Sequence, residues 1–242
     1  MTKSIIFLYG ILAYFVFLVA FLYAIGFVGN LIVPKSIDSG IETSFIQAMG
    51  INILLLSVFA IQHSIMARPA FKKWWVGIIG SAAERSTYVL LSSLALLLLY
   101  WQWQPLNGIV WEVENNIVYG ALVILFFIGW LIVFLSTFMI NHFELFGLKQ
   151  IFDNLKNNLH EPPKFQVNLF YKIVRHPIML GFIIAFWATP IMTVGHLVFA
   201  VVTTAYIVIA VKYLEEKDLK KYLGEKYEQY QKDVPMLVPF SK

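Results

Sequence analysis

Apolar runs about 20 residues long alternate along this chain with short polar stretches, the pattern of helices that cross a bilayer. Four runs stand out: Ile5–Ile25, Phe45–Met66, Thr87–Trp103 and Ile117–Ile140. The first continues apolar to Val33 without a small-residue cleavage site, so it reads as a span and not as a cleaved leader. A fifth block, Ile178–Val211, has 34 residues. As one helix it would be about 51 Å long, too much for one crossing. Thr189-Pro190 and Gly195 lie at its middle, where proline removes a helix hydrogen bond. The block therefore predicts a tight hairpin of two short helices, giving six spans, or five if the hairpin is partly re-entrant.

The polar stretches have patterns of their own. Between Asn141 and His176, Leu145, Leu148, Phe152 and Leu155 recur at helical spacing and predict an amphipathic helix on the membrane surface. After Val211 the chain turns polar at once and predicts a helix to about Asp233, ending before Pro235 and Pro239. The expected fold is all-α, a polytopic transmembrane bundle with cytoplasmic amphipathic and C-terminal helices. We read one domain over 1–242: an N-terminal four-span bundle (1–141), a cytoplasmic connector (142–177), and a helix hairpin with its C-terminal helix (178–242).

Composition agrees. Hydrophobic residues make up 60% and charged residues only 13%, against about 25% charged in soluble domains. The absence of cysteine excludes disulfides, thiolate zinc sites and a cysteine nucleophile. A pI near 9.1 raises nucleic acid as a partner, but the placement of charge argues otherwise. With six spans, every one of the 18 Lys and Arg residues except Lys35 falls on one side. By the positive-inside rule that side is cytoplasmic and holds both termini. Basicity then reflects topology; the partner is the lipid bilayer, with no nucleic acid expected, and a multi-pass protein of a bacterial inner membrane is the expected setting. No internal repeat supports an inverted-repeat transporter.

Ionisable groups at membrane depth are costly and mark candidate sites. His63 closes the second span, His142 closes the fourth, His176 opens the fifth after Arg175, and Glu215-Glu216 follow the sixth. Four helix ends are thus expected to present His, Arg and Glu to a shared cytoplasmic cavity. Any one of them alone reads equally as an interfacial anchor; Arg175-His176-Pro177 together with Glu215-Glu216 favours a site. No HExxH and no i, i+4 histidine pair occurs, so no metal site is expected. Haem held by His63 and His142 stays as an alternative. No G-x-G-x-x-G fingerprint is present, which removes a soluble-type nucleotide fold.

Arg175-His176-Pro177-Ile178-Met179-Leu180-Gly181, followed by Glu215-Glu216-Lys217-Asp218-Leu219 and Gly224–Tyr230, resembles the C-terminal half of the membrane methyltransferases, which include isoprenylcysteine carboxyl methyltransferase and the phospholipid methyltransferases. Met179 stands where members often carry Tyr. Over nearly the whole chain, Gln62–Arg68, Glu84–Tyr88, Asn141–Leu148 and Phe186–Met192 are similar to the methanethiol S-methyltransferases, which make dimethyl sulfide. A sister group linked to denitrification shares the first of these motifs. The resemblance implies S-adenosylmethionine as co-substrate, held by the hairpin and C-terminal helix through Arg175, His176, Gly181, Tyr171, Glu215 and Glu216.

The chemistry suits those residue types. Arg175 can bind the cofactor carboxylate with two parallel hydrogen bonds, and Glu215 or Glu216 can accept from its ribose hydroxyls or pair with its ammonium. Adjacent helical residues point about 100° apart, so one of the two glutamates is expected to face the cofactor. A small thiol must lose its proton to become a nucleophile, and a neutral histidine can take it. His142 is the first candidate base and His63 the second, with Glu144 as orienting partner and Asn141 and Ser64 as donors behind them. Tyr171, Phe186, Trp74, Trp75 and Trp187 can line an apolar pocket or face a sulfonium, although the tryptophans also suit membrane-interface anchoring. Alternatives are a lipid amine or prenylcysteine carboxylate as acceptor, or a non-enzymatic haem- or nitrogen-oxide-handling protein.

Overall fold

The structure is a computed structural model that describes residues 2–161 and 165–241; Lys164 and Lys242 of the basic set lie outside the described residues. Five helices are long and apolar enough to cross a membrane, and the chain is a multi-pass integral membrane protein. The chain divides into two compact units, Met1–Pro105 with Asn141–Pro163, and Leu106–Ile140 with Lys164–Lys242.

The first unit is built on α1 (Lys3–Gly29), α2 (Phe45–Ala67) and α4 (Ser81–Gln102), with α3 (Pro69–Ile79) joining the last two. Pro69 opens α3, where its missing N–H costs nothing. Asn52, wholly buried, fixes the end of α4 with two hydrogen bonds: its Nδ2 donates to Gln104 O (2.8 Å) and its Oδ1 accepts from Gln104 N (2.9 Å). The connector forms α6 (His142–Leu145) and α7 (Leu148–Lys156). Packing, and not only the membrane surface, holds α7: it lies on α1 and α4 and buries Ile151 completely, while Phe152 of the expected stripe is exposed.

The second unit holds α5 (Asn116–Ile140), α8 (Pro177–Trp187) and α9 (Val194–Ile209). The hairpin appears, but its arms differ from the expected pair of short helices. The first, α8, has 11 residues, about 16 Å, too short for a crossing. The second continues past α9 through a π-helical segment (Ala210–Glu215) into α10 (Glu216–Leu223), so that Val194–Leu223 is one 30-residue span. The polar residues after Val211 mark where this helix leaves the apolar zone, not where it stops. The bend between the arms is also more ordered than a loop. β2 (Ile191–Thr193) pairs antiparallel with β1 (Ile109–Glu112), and Thr193 then caps α9 by accepting from His196 N at 3.1 Å.

Helices α5 and α8 meet at two glycines. A Cβ on Gly181 would lie 2.7 Å from Gly129 O and 2.9 Å from Val133 N, backbone atoms that cannot swing aside. Gly181, expected to serve the cofactor, thus has a packing reason to be glycine. Gly181→Ala is expected to lower stability by about 1–3 kcal/mol through overpacking, seen as a lower thermal midpoint in detergent.

Candidate functional site

The first turn of α8 and the far end of α9 meet in a buried charged cluster. Arg175 precedes Pro177, which sits at the start of α8. Its N–H donates to Pro235 O (2.8 Å), and His176 N donates to Met236 O (3.2 Å), tying the C-terminal segment to this turn. Opposite them the inward face of the long helix runs Ile207, Val211 and then Glu216, all buried. The last step is five residues, not four. The π segment covers that step, and its wider turn carries the inward face one residue farther than an α-helix would. Glu216 is therefore the buried member of the pair (7% exposed), and the Glu215 side chain is 46% exposed.

Glu216 is the hub. Its Oε1 accepts from Arg175 Nε at 2.7 Å, lies 2.6 Å from Arg175 Nη2, and is within 3.2 Å of His176 Nε2. Tyr227 OH donates to the same oxygen at 3.4 Å, and Gln231 Nε2 donates to Oε2 at 3.0 Å. Arg175 Nη1 donates to Gln231 O (3.1 Å) and to Val234 O. Four of the five guanidinium donors are thereby committed inside the protein. The arginine expected to grip a cofactor carboxylate instead braces α8, α10 and the chain end. His176 bridges inside and outside, with Nδ1 3.7 Å from Glu215 Oε1.

Residues of α11 (Glu225–Asp233) and Val234 just after it complete this cluster; Tyr227 and Tyr230 fall within the Gly224–Tyr230 motif, but none of these residues was given a site role from sequence. Tyr227, Tyr230, Gln231 and Val234 follow a 3-4-7 helical spacing, which was the available signal. Tyr230 OH donates to Tyr171 O at 2.5 Å. Burial and the nearby Glu216 push the Tyr227 hydroxyl up, and burial pushes Tyr230 to about 12 although Arg175 opposes it. Both remain protonated donors at neutral pH. Tyr171 is likewise raised by burial and by Glu215. Its hydroxyl donates to Ser136 O at 3.5 Å; Ser136 Oγ is buried with no hydrogen-bond partner among the described residues. Met179 packs with Ile207, Val211 and Leu237, so this position serves the core.

In the first unit the two candidate bases stand in different settings. His142 opens α6, which Asn141 caps by accepting from Glu144 N (3.3 Å). Arg85 Nε donates to Leu145 O (2.7 Å), fastening this turn to α4. Gly147 then turns at φ +87°, where an added Cβ would lie 2.9 Å from Ser86 N, so both conformation and space call for glycine. His142 is 4% exposed, and its Nε2 lies 2.7 Å from Tyr14 OH. Burial lowers its pKa, keeping the ring neutral and able to accept a proton at neutral pH. His63 sits within α2, with Nε2 2.8 Å from Tyr88 OH and Nδ1 3.2 Å from Ser92 Oγ. Both its ring nitrogens are engaged.

Glu144 does not orient His142. Its Oε1 accepts from Gln150 Nε2 (2.9 Å) and meets His160 Nε2 (3.0 Å), and Lys149 approaches Oε2 at 4.0 Å. His160 also reaches Asp153 at 3.1 Å, so Glu144 helps fasten the residues after α7. Among the described residues no group of three or more His, Asp or Glu is arranged to hold a metal ion. Trp74 is exposed, as an interface anchor would be, and Trp187 Nε1 donates to Thr204 Oγ1 at 2.9 Å, a packing role in the hairpin.

Residues 51–235 match the model of the NnrU protein family. Methanethiol S-methyltransferase 1 of Bradyrhizobium diazoefficiens is 55% identical over 240 residues, covering 99% of this chain and 84% of that protein. Methanethiol S-methyltransferase of Mycobacterium tuberculosis is 51% identical over 240 residues, covering 99% and 98%. Nurim of Xenopus laevis is more distant, 32% identical over 179 residues, covering 69% and 61%. No solved structure matches the chain.

Proposed function

This chain belongs to the NnrU protein family and is kin to the methanethiol S-methyltransferases, and on that premise we propose that it is an integral-membrane enzyme that methylates methanethiol to dimethyl sulfide with S-adenosylmethionine as donor. The observation that carries the reading is near-full-length identity with enzymes named for that activity. β2 pairs with β1 just before α5, so α8 with its bend reaches the end at which α5 begins and α9 returns from there; counted that way, the charge asymmetry supports a bacterial inner-membrane setting with both termini and the site cytoplasmic.

The donor, when bound, supplies an electrophilic methyl on a sulfonium. The residues fit it in a revised arrangement. Glu215, exposed beside His176, is free to accept from an ammonium or from ribose hydroxyls. Tyr171 offers an aromatic face to a cation and lies beside the orphaned Ser136 hydroxyl. Arg175 and Glu216 position these groups, because their polar atoms are taken up by one another and by α11. Catalysis of a displacement of this kind is chiefly a matter of placing two reactants. On the thiol side a base must remove the S–H proton, and His142, neutral and buried, has that capacity.

Purified protein incubated with methyl-labelled S-adenosylmethionine and methanethiol is expected to release labelled dimethyl sulfide into the headspace. Label in lipid with no volatile product would overturn this reading in favour of a lipid acceptor.

A further inference from the structure

We propose that Tyr14 is the group through which the thiol proton reaches His142, an inference that rests on the thiol-methylation reading. Tyr14 lies on α1 between Ala13 and Phe15, and a tyrosine in so apolar a helix needs a use for its hydroxyl. That hydroxyl is 2.7 Å from His142 Nε2. The pair is caged. The Tyr14 ring meets the His142 ring edge-on (centroids 5.8 Å, 87°) and packs near Phe17 and Phe146. Phe146 stacks on Phe17 at 3.8 Å and lies 4.8 Å from His142. Four rings thereby hold one O–H against one imidazole nitrogen.

Accessibility separates this pair from its counterpart in the same unit. His142 is buried, whereas Tyr14 keeps part of its surface open, so a small thiol meets the phenol before the imidazole. In the His63 pair the order is reversed: Tyr88 is buried, the half-buried member is the imidazole itself, and Ser92 occupies one of its ring nitrogens. Only in the first pair is a phenol the outer member and a buried imidazole the inner one. The charged groups around α6 are Arg85, whose Nε is on Leu145 O, and Glu144, shared by Gln150, His160 and Lys149.

The step balances. The thiol S–H breaks as an O–H forms at Tyr14, and the original phenolic O–H breaks as an N–H forms at His142 Nε2. The sulfur lone pair forms the new S–C bond, and the electrons of the broken C–S bond return to the sulfonium sulfur. The imidazolium later releases its proton to water.

Tyr14→Phe keeps the ring packing and removes only the relay. It is expected to cut methanethiol turnover by about 100-fold at neutral pH. It should affect trifluoroethanethiol, a more acidic small thiol, far less, and leave donor binding by calorimetry unchanged. In protein labelled with 15N-histidine, the His142 Nε2 resonance should shift without any donor present. Equal losses for both thiols, or no loss, would overturn the relay. A proton inventory on the unaltered enzyme provides a check that needs no variant: a curved plot is expected for two protons in flight, and a linear one overturns the proposal. Absence of thiol methylation by the unaltered enzyme would instead remove the functional reading beneath it.

Discussion

Glu216→Ala is expected to unfold the chain far more readily than Glu215→Ala, although the two residues are neighbours of identical chemistry. Removing Glu216 leaves the Arg175 guanidinium buried and without its counter-ion, and strands Tyr227 and Gln231. Breaking a buried pair from one side costs about 3–5 kcal/mol, because the remaining charge stays desolvated. For a chain of this size that corresponds to a fall of about 10 °C in thermal midpoint. Glu215 faces outward, and its contact with His176 is long at 3.7 Å. Its loss should move stability by less than about 0.5 kcal/mol and instead weaken donor binding. Thermal denaturation in detergent, paired with calorimetric titration of S-adenosylmethionine, separates the roles. Equal midpoints for the two variants would remove Glu216 as the hub.

His142→Gln is expected to abolish most thiol methylation while sparing donor affinity. Positioned proton transfer contributes about 10²- to 10⁴-fold, so turnover should drop by at least the lower figure. The pH profile of the unaltered enzyme gives an independent sign. The base must be unprotonated to act, and burial lowers the His142 pKa below its ordinary value of about 6.5. Activity should therefore rise with pH along an acid limb whose midpoint lies under that value, and already be level at neutrality with respect to this group. A limb centred well above it would point to a different base. Near-normal turnover from the glutamine variant would remove His142 outright.

Much of the fold was legible because membrane helices are written in long runs. Ile117–Ile140 and Phe45–Met66 each match an observed helix to within a residue or so, since about 20 apolar residues have few other ways to be satisfied. Pro190 located the bend between α8 and α9 for the same kind of local reason. The strands there were not legible: three or four residues carry too little pattern, and their pairing joins positions about 80 apart. Helix past Val211 was legible, but not that it continues the span unbroken, because Lys212 and the glutamates after it look like a span's end; the break comes instead at Gly224.

The site was legible as a set of residues but not as a set of roles. Arg175, His176 and Glu216 do come together. A motif does not disclose whether an arginine's donors point at a ligand or at the protein's own carbonyls. That depends on Val234 and Gln231, nearly 60 residues away. Gly181, given to the cofactor by the resemblance, makes room for α5. Glu144 is close to His142 in sequence, yet its carboxylate turns to Gln150 and His160.

The wide turn at Ala210–Glu215 has a consequence for how this chain tolerates change. If the segment tightened to ordinary α geometry, the inward position after Val211 would fall on residue 215 instead of 216. Since both are glutamate, Arg175 would meet a carboxylate in either winding, and the other would still be presented outside. A doubled residue thus makes the junction tolerant of a one-residue slip: insertion of a residue with the wide turn kept brings Glu215 inward, and loss of one with the turn tightened keeps Glu216 inward, so Arg175 meets a carboxylate in either case.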